Sequence, residues 1–254
     1  MTVDNTPAMP PKTGASEEDA AIARSIRALV RGALKASLAT IDAQTGHPYA
    51  SLLTVATDPE GQPVFLISKL ALHTRNLAAD SRASLLFDAT DGHANPLAGA
   101  RATLIGRAHV TTSGGARSRF IARHPGSAGT ADFPDFSFWT LAVERAHYIG
   151  GFGRIRTLAA DVLKGPAALA DLVAMEPSLI EDLNLRLTAE LQAIGQAIPK
   201  PGEGPWHISG LDAEGADLAN GLRALRVDFN HPAATAEEVR ALLTDQLRLR
   251  AVQQ

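Results

Sequence analysis

Residues 66 to 88 run Leu-Ile-Ser-Lys-Leu-Ala-Leu-His-Thr-Arg-Asn-Leu-Ala-Ala-Asp-Ser-Arg-Ala-Ser-Leu-Leu-Phe-Asp. An apolar strand ends at Ile67, a polar turn follows, and a second apolar run extends from Ala83 to Phe87. The turn holds Ser68, His73, Thr74, Arg75 and Asn76, with Lys69 beside them. Hydroxyls, cations and an amide gathered where a strand passes into a helix suit a phosphate monoester, which takes up hydrogen-bond donors, positive charge and the free N–H groups of a helix start. The same residues also fit an ordinary helix capped by Thr74 with Arg75 in solvent, and on the residues alone both readings stand open.

The elements that would position this turn can be read on either side of it. Ser16 with Asp19 marks a helix start, and Ile22, Ile26, Leu29 and Val30 recur at helical spacing until Gly32, giving an amphipathic lead-in helix. Residues 1 to 15, with three prolines, read as a disordered tail. From Leu34 the pattern changes to short strands: Leu34 to Ile41, Tyr49 to Ala56 and Pro63 to Ile67, separated by turns at Asp42 to Gly46 and Asp58 to Gly61. Ala83 to Phe87, Arg101 to Val110, Phe136 to Val143 and Arg145 to Gly150 add further strands, with a helix over Gly114 to His124. Six or seven strands are enough to close a small barrel, in which Trp139 reads as a plug.

After Arg154 the texture changes. Leu179, Ile180, Leu183, Leu187, Leu191 and Ile194 mark a helix ending near Gly195 and Pro199. Trp206 to Leu211 and Leu222 to Phe229 read as strands around the Asp212 to Gly215 turn, and Thr235 with Glu238 makes a capping box for a last helix. Pro199 to Pro205 is a loop inside this part. The expected organisation is therefore a tail over 1–15, a barrel domain over 16–158 and a small α+β domain over 159–254.

Composition bounds the function. The chain has 254 residues, 45% hydrophobic and 20% charged, in the range of a globular protein that can bury a substantial core. Neither a long apolar stretch nor a basic-then-apolar start is present, so a cytoplasmic location without membrane association is the expectation. Zero cysteines exclude disulfides, thiolate metal sites, a cysteine nucleophile and iron–sulfur clusters. A net charge of −3 gives no global attraction to nucleic acid, so no nucleic-acid partner is expected.

Five stretches in order resemble the FMN-binding split-barrel family related to pyridoxamine 5′-phosphate oxidase. They are the 66–88 segment, Gly46 to Leu53, Asn95 to Ala108, Phe138 to Leu141, and Glu144 to Arg154. The resemblance is nearest to the branch that includes bacterial heme-utilisation proteins and the plant glutamyl-tRNA reductase-binding protein. It covers residues 20 to 160 well and the rest more weakly. It implies a mostly β split barrel followed by an α+β addition, and a homodimer with FMN at the subunit interface. It also implies that Ser68, His73, Thr74 and Asn76 face phosphate and ribityl, that Ser51 and Leu52 lie along the isoalloxazine edge, and that Arg101 reaches the ring. Neutral His73 cannot supply charge by itself, so Lys69 or Arg75 is expected to assist. The vitamin-processing oxidases place an arginine and lysine pair here, so His73-Thr74 should hold phosphate less strongly.

Gly150-Gly151-Phe152-Gly153-Arg154 is not a dinucleotide fingerprint, because no helical periodicity follows it. Its glycines read as a strand end, with Arg154 projecting into the shared site. No histidine pair has the i, i+4 spacing of a helical metal site, a lone histidine such as His147 before Tyr148 is usually structural or solvated, and a heme ligand is chemically possible from His93 or His231, neither in a motif. Relatives of the heme-utilisation branch carry His-Met-Asn-x-Asp-His where this chain has Asp182-Leu-Asn-Leu-Arg-Leu187, and only Asn184 is shared. The leading expectation is an FMN-dependent oxidoreductase with no nameable acid or base. The alternatives are a heme-binding or heme-degrading protein using the same dimer cleft, with Arg101 and Arg154 for the propionates, and a non-enzymatic regulator of tetrapyrrole synthesis that binds a protein partner.

Overall fold

The structure is a computed structural model that describes residues 16–91, 93–151, 154–197, 204–221 and 223–252. The tail over 1–15, Phe152, Gly153, Leu222 and the 199–203 part of the proline-rich loop lie outside the described residues. Helix α1 (Glu17–Arg31) begins with a full capping box between Ser16 and Asp19 and ends at Gly32, as the sequence predicts. It lays Ile22, Ile26 and Val30 over the open side of a barrel.

The barrel is an antiparallel eight-stranded sheet among the described residues, in the order β2-β1-β5-β6-β7-β4-β3 with β8 also on β7. Its strands are β1 (Lys35–Ile41), β2 (Pro48–Thr54), β3 (Ala56–Thr57), β4 (Pro63–Ser68), β5 (Arg82–Ala89), β6 (Ala100–Val110), β7 (Phe136–Gly150) and β8 (Ile155–Ala159). Helices α2 (Leu72–Ala79) and α3 (Gly114–Arg123) interrupt the run. Two expectations fail here. The predicted pair of strands at 136–143 and 145–150 is one 15-residue strand, and β8 was not foreseen.

Strand β7 explains the split. Val64 to Ser68 pair with its first part, whereas Ile155 to Ala159 pair with its last part, so one edge carries two partners in succession. Between them a bulge sets Ile105 opposite Arg145 but Gly106 opposite Val143, leaving Glu144 as the extra residue. Position 106 has to be glycine, because a Cβ there would meet the Ala142 carbonyl oxygen at 2.0 Å. The inner faces bury Leu38, Phe65, Leu85, Phe87, Leu104, Leu141 and Trp139 in one core.

A second core belongs to the C-terminal unit. Segment α4 (Ala160–Leu163) leads into α5 (Ala170–Arg186) and α6 (Thr188–Ala197), which the sequence predicted as one helix. A three-stranded sheet of β9 (His207–Asp212), β10 (Gly215–Ala219) and β11 (Ala224–Asp228) packs with them and α7 (Ala236–Val252). Strand β10 was missed, because Gly215 to Ala219 carries glycine, alanine and aspartate rather than a β-rich run. Thr235 does cap α7 through the Glu238 amide, but the Glu238 carboxylate accepts from Ala234 rather than closing the box.

The two units meet across a buried ionic seam. Asp212 accepts from Arg31 at 3.1 Å and Arg226 at 2.6 Å, and Asp217 accepts from Arg226 at 2.9 Å and Arg123 at 3.0 Å. Glu176 pairs with Arg119 at 2.8 Å. Backbone carbonyls add to the pairing: Arg123 donates to Arg31 and Ala33, and Arg119 to Leu211 and Asp58, while the Nε atoms of Arg31 and Arg123 stay buried without a partner. Burial alone would raise the Asp212 carboxyl, but Arg31 and Arg226 outweigh it and hold it well below the ordinary carboxylate range. No helix among the described residues is long and apolar enough to cross a membrane.

Candidate functional site

The predicted turn forms between β4 and α2, and most of its side chains are already engaged. The Ser68 hydroxyl donates to the Asp135 carboxylate at 2.8 Å, and Thr74 donates to the Ser68 carbonyl at 2.6 Å. Lys69 is turned onto the 134–135 turn: its ammonium donates to the Pro134 carbonyl at 2.9 Å and its amide to Asp135 at 2.7 Å. Asn76 is fully buried, donating to Thr40 at 3.1 Å and accepting from the Ala43 amide at 3.1 Å, so it fastens α2 to the β1–β2 turn. Arg75 is exposed.

Two features of the turn remain without internal partners. Helix α2 starts at Ala71 with no side-chain cap, so its first-turn amides keep their donor capacity. Thr74 is therefore not the cap that the alternative reading required. His73 Nδ1 lies 3.2 Å from Ser51 Oγ, while Nε2 is buried without a partner. Burial pushes the His73 pKa below its ordinary value. Against a phosphate stands the Asp135 carboxylate, which occupies the Ser68 donor and adds a like charge.

Successive residues of a strand point to opposite faces, and this separates Ser51 from Leu52. Ser51 faces α2, whereas Leu52 stands on the outer face of the sheet and is 67% exposed. Register then extends that outer row across the sheet: Leu52 opposite Ser37, Ser37 opposite Leu86, Leu86 opposite Thr103, Thr103 opposite His147, and His147 opposite Thr157. Leu86 is 39% exposed. Neighbouring rows place Arg145 beside Ile105 and Arg101 beside Ile149, and Ile155 is exposed next to them.

This face carries a histidine that the sequence reading passed over. His147 Nδ1 lies 2.9 Å from Thr157 Oγ1. With Nδ1–H donating to that hydroxyl, Nε2 keeps its lone pair on the open side of the ring. The signal was present in the strand alternation, since Arg145, His147 and Ile149 share a parity, but a lone histidine on a strand has no motif to mark it. Of the histidines singled out from the sequence, His93 sits in an exposed loop, and His231 lies near Glu238 on the C-terminal unit.

Arg101 donates to the Leu97 and Gly99 carbonyls at 3.0 and 3.2 Å. Its strand lies three positions from β2, about 14 Å across the sheet at the usual strand spacing. Arg101 and the Ser51–His73 pair are thus not brought together within one chain. Arg154 is exposed just after β7, and Gly151 has a φ of +95° and approaches the Ala98 carbonyl, which draws the 95–99 turn against the strand end. Asn184, the residue shared with the heme-utilisation motif, brackets β9 by donating to the Ile208 carbonyl at 3.2 Å and accepting its amide at 2.7 Å.

Comparison with known proteins adds an independent line. The CREG, beta-barrel family matches over residues 15–162. The chloroplastic heme oxygenase HOZ of Arabidopsis thaliana is 29% identical over 235 residues, 88% of this chain and 72% of that protein. Among solved structures, a protein of unknown function from Agrobacterium tumefaciens superposes with a TM-score of 0.73 at 26% identity, covering 98% of this chain and all of that one. A heme binding protein from Mycobacterium smegmatis superposes with a TM-score of 0.53 at 30% identity, covering 96% of this chain and 100% of that one.

Proposed function

The chain belongs to the CREG β-barrel family, and on that premise we propose that it is a heme-binding protein that holds heme on the outer face of the barrel sheet, between two copies of the chain. The observation that carries this reading is the His147 row. An imidazole with one nitrogen tied to Thr157 and the other open stands on a face that also exposes Leu52, Leu86 and Ile155. That donor set fits a porphyrin: a nitrogen for the iron, apolar surface for the ring, and Arg101, Arg145 and Arg154 for the propionates. Names of similar proteins point the same way, one a heme oxygenase and one a heme binding protein.

Each residue then has a defined task. His147 ligates through Nε2, and Thr157 fixes its tautomer and ring orientation. Leu52 and Leu86 exclude water from the ring, which strengthens every polar contact beneath it. Heme, when bound, supplies iron at which dioxygen can be activated, the chemistry that would make this protein an oxygenase. A second copy of the chain covers the exposed apolar face and brings its own Arg101 and α2 start to the same cleft, so heme binding and dimerisation are linked.

A flavin reading is favoured by one observation, the uncapped start of α2 beside the unpartnered His73 Nε2. FMN phosphate would take those amides, with Ser51 positioning His73. Asp135 and the inward-turned Asn76 make this cradle weaker than the sequence suggested. The test is a paired titration of the purified full-length protein. Hemin should give a saturable, shifted Soret band and a dimer by light scattering, while FMN keeps its free-solution spectrum. Saturable FMN binding with no change in the hemin spectrum would reverse the assignment.

A further inference from the structure

We propose that Arg27 and Glu214 are positioning residues for the iron ligand: through their ion pair the C-terminal unit holds β8 in place, and with it the Thr157 hydroxyl that orients the His147 ring. The inference rests on the heme reading of His147 and adds the regulation of that site. Among the described residues the His147 ring is bonded only to Thr157, at 2.9 Å, so its orientation depends on where β8 lies.

Strand β8 is weakly anchored by itself. It has five residues, pairs only with β7 among the described residues, and exposes its first three. Leu158 alone of the five enters the barrel core. Its side-chain tie to α1, from Arg156 to Glu18 at 2.9 Å, is exposed and contributes little. A short edge strand of this kind belongs to the parts of a fold that open locally, so β8 has a zipped and a frayed state, and whatever fixes its far end biases it toward the first.

That far end is fixed by Arg27. From β8 the chain passes through α4, where Arg27 donates to the Leu163 carbonyl at 3.3 Å while donating to the Glu214 carboxylate at 2.7 and 2.5 Å. Gly165 lies on this ion pair: a Cβ there would come within 3.0 Å of Arg27 Nε and 3.2 Å of Glu214 Oε2. The paired side chains are only 18% and 13% exposed, which makes this a firmer hold than Arg156 provides. Glu214 belongs to the β9–β10 turn, where its amide donates to Asp212 at 2.7 Å, and Asp212 is the seam carboxylate held by Arg31 and Arg226. A shift of the C-terminal unit therefore carries Glu214 with it, frees the Leu163–Gly165 segment and lets β8 fray, loosening the ring that holds the iron. The pair lies under α1 on the core side of the barrel, whereas His147 and Thr157 face outward, so changing it does not touch the heme face.

Hydrogen exchange of the ligand-free full-length protein, read by mass spectrometry, and hemin titration test the proposal together. Arg27→Met/Glu214→Gln removes the pair without leaving a lone buried charge, and Gly165→Val lifts the segment with every charge kept. In both variants exchange should rise across 155–159 while β5 and β6 keep the parental rate. Thr157→Val should lower hemin affinity about tenfold, the usual effect of losing the group that orients an imidazole ligand. The two clamp variants should lower it about fivefold, and should add nothing in the Thr157→Val background, because they act through that hydroxyl. Parental exchange at 155–159 in either folded clamp variant would overturn the proposal, as would an undiminished loss of affinity in the Thr157→Val background. Parental hemin affinity in His147→Ala would remove the heme reading and the proposal together, whereas lost affinity there with parental exchange in the clamp variants removes the proposal alone.

Discussion

The seam between the two units is densely charged and closed, whereas the outer face of the sheet is mainly hydroxyl and apolar and open. In the seam, Arg31, Arg119, Arg123 and Arg226 meet Glu176, Asp212 and Asp217 with almost no exposure. On the outer face, Leu52 and Ile155 are more than half exposed, and among the described residues His147 is bonded only through Nδ1 to Thr157. A folded chain normally hides apolar surface and leaves charge in water. The inversion indicates which surface is complete within one chain and which waits for something else: charges that have been desolvated need every partner in place, while an unpaired apolar face is the mark of a binding surface.

The largest expected effect is in the seam. Asp217→Ala leaves Arg123 and Arg226 short of a buried carboxylate and should cost about 3–5 kcal/mol, read as a lower urea midpoint. Truncation after Leu158 removes all the acidic partners of the seam at once and should give insoluble protein. If Asp217→Ala unfolds at the parental midpoint, the seam is not what holds the units together.

Leu86→Glu on the outer face should behave in the opposite way. Its side chain is partly in solvent, so folding stability should stay within about 0.5 kcal/mol of the parent. Dimerisation and hemin binding should both be lost, because a carboxylate would be buried in the paired face. A dimer that persists in this variant by light scattering would move the subunit interface elsewhere.

The smallest effect concerns pH. Burial lowers the pKa of His73 and His124, and His124 donates to the Val55 carbonyl at 2.8 Å while neutral. The unfolded chain takes up protons at these rings near pH 6.5 while the folded chain does so only at lower pH. Their contribution is therefore fully present above about pH 6.5 and is lost as pH falls through the window between the unfolded and folded values. Urea midpoints measured across that window should decline on acidification, and His124→Gln should flatten the decline. A flat profile in the parent would show that both rings titrate as if solvated.

Much of the fold was legible because local chemistry and global architecture agree in it. The Ser16–Asp19 box, the period of α1 and the turns at Asp42 and Asp58 each name their element directly. The β7 bulge was not legible: one extra residue at Glu144 shifts the alternation of Val143 and Arg145, and in a sequence that phase shift looks the same as a strand end. The seam was hidden for a related reason. Arg31, Arg119, Arg123 and Arg226 are scattered through the chain, and nothing local separates them from solvated arginines. The 68–76 segment does pass from strand to helix as the sequence suggests, yet its donors are shared out internally by Asp135 and Thr40, partners remote in sequence.

The account rests most directly on His147, and a hemin titration of His147→Ala followed by addition of imidazole examines it. The variant should fold as the parent does, give a Soret band like that of unligated hemin, and recover the parental band when imidazole fills the vacated position. A parental Soret spectrum in His147→Ala without imidazole would contradict the assignment and place the iron elsewhere.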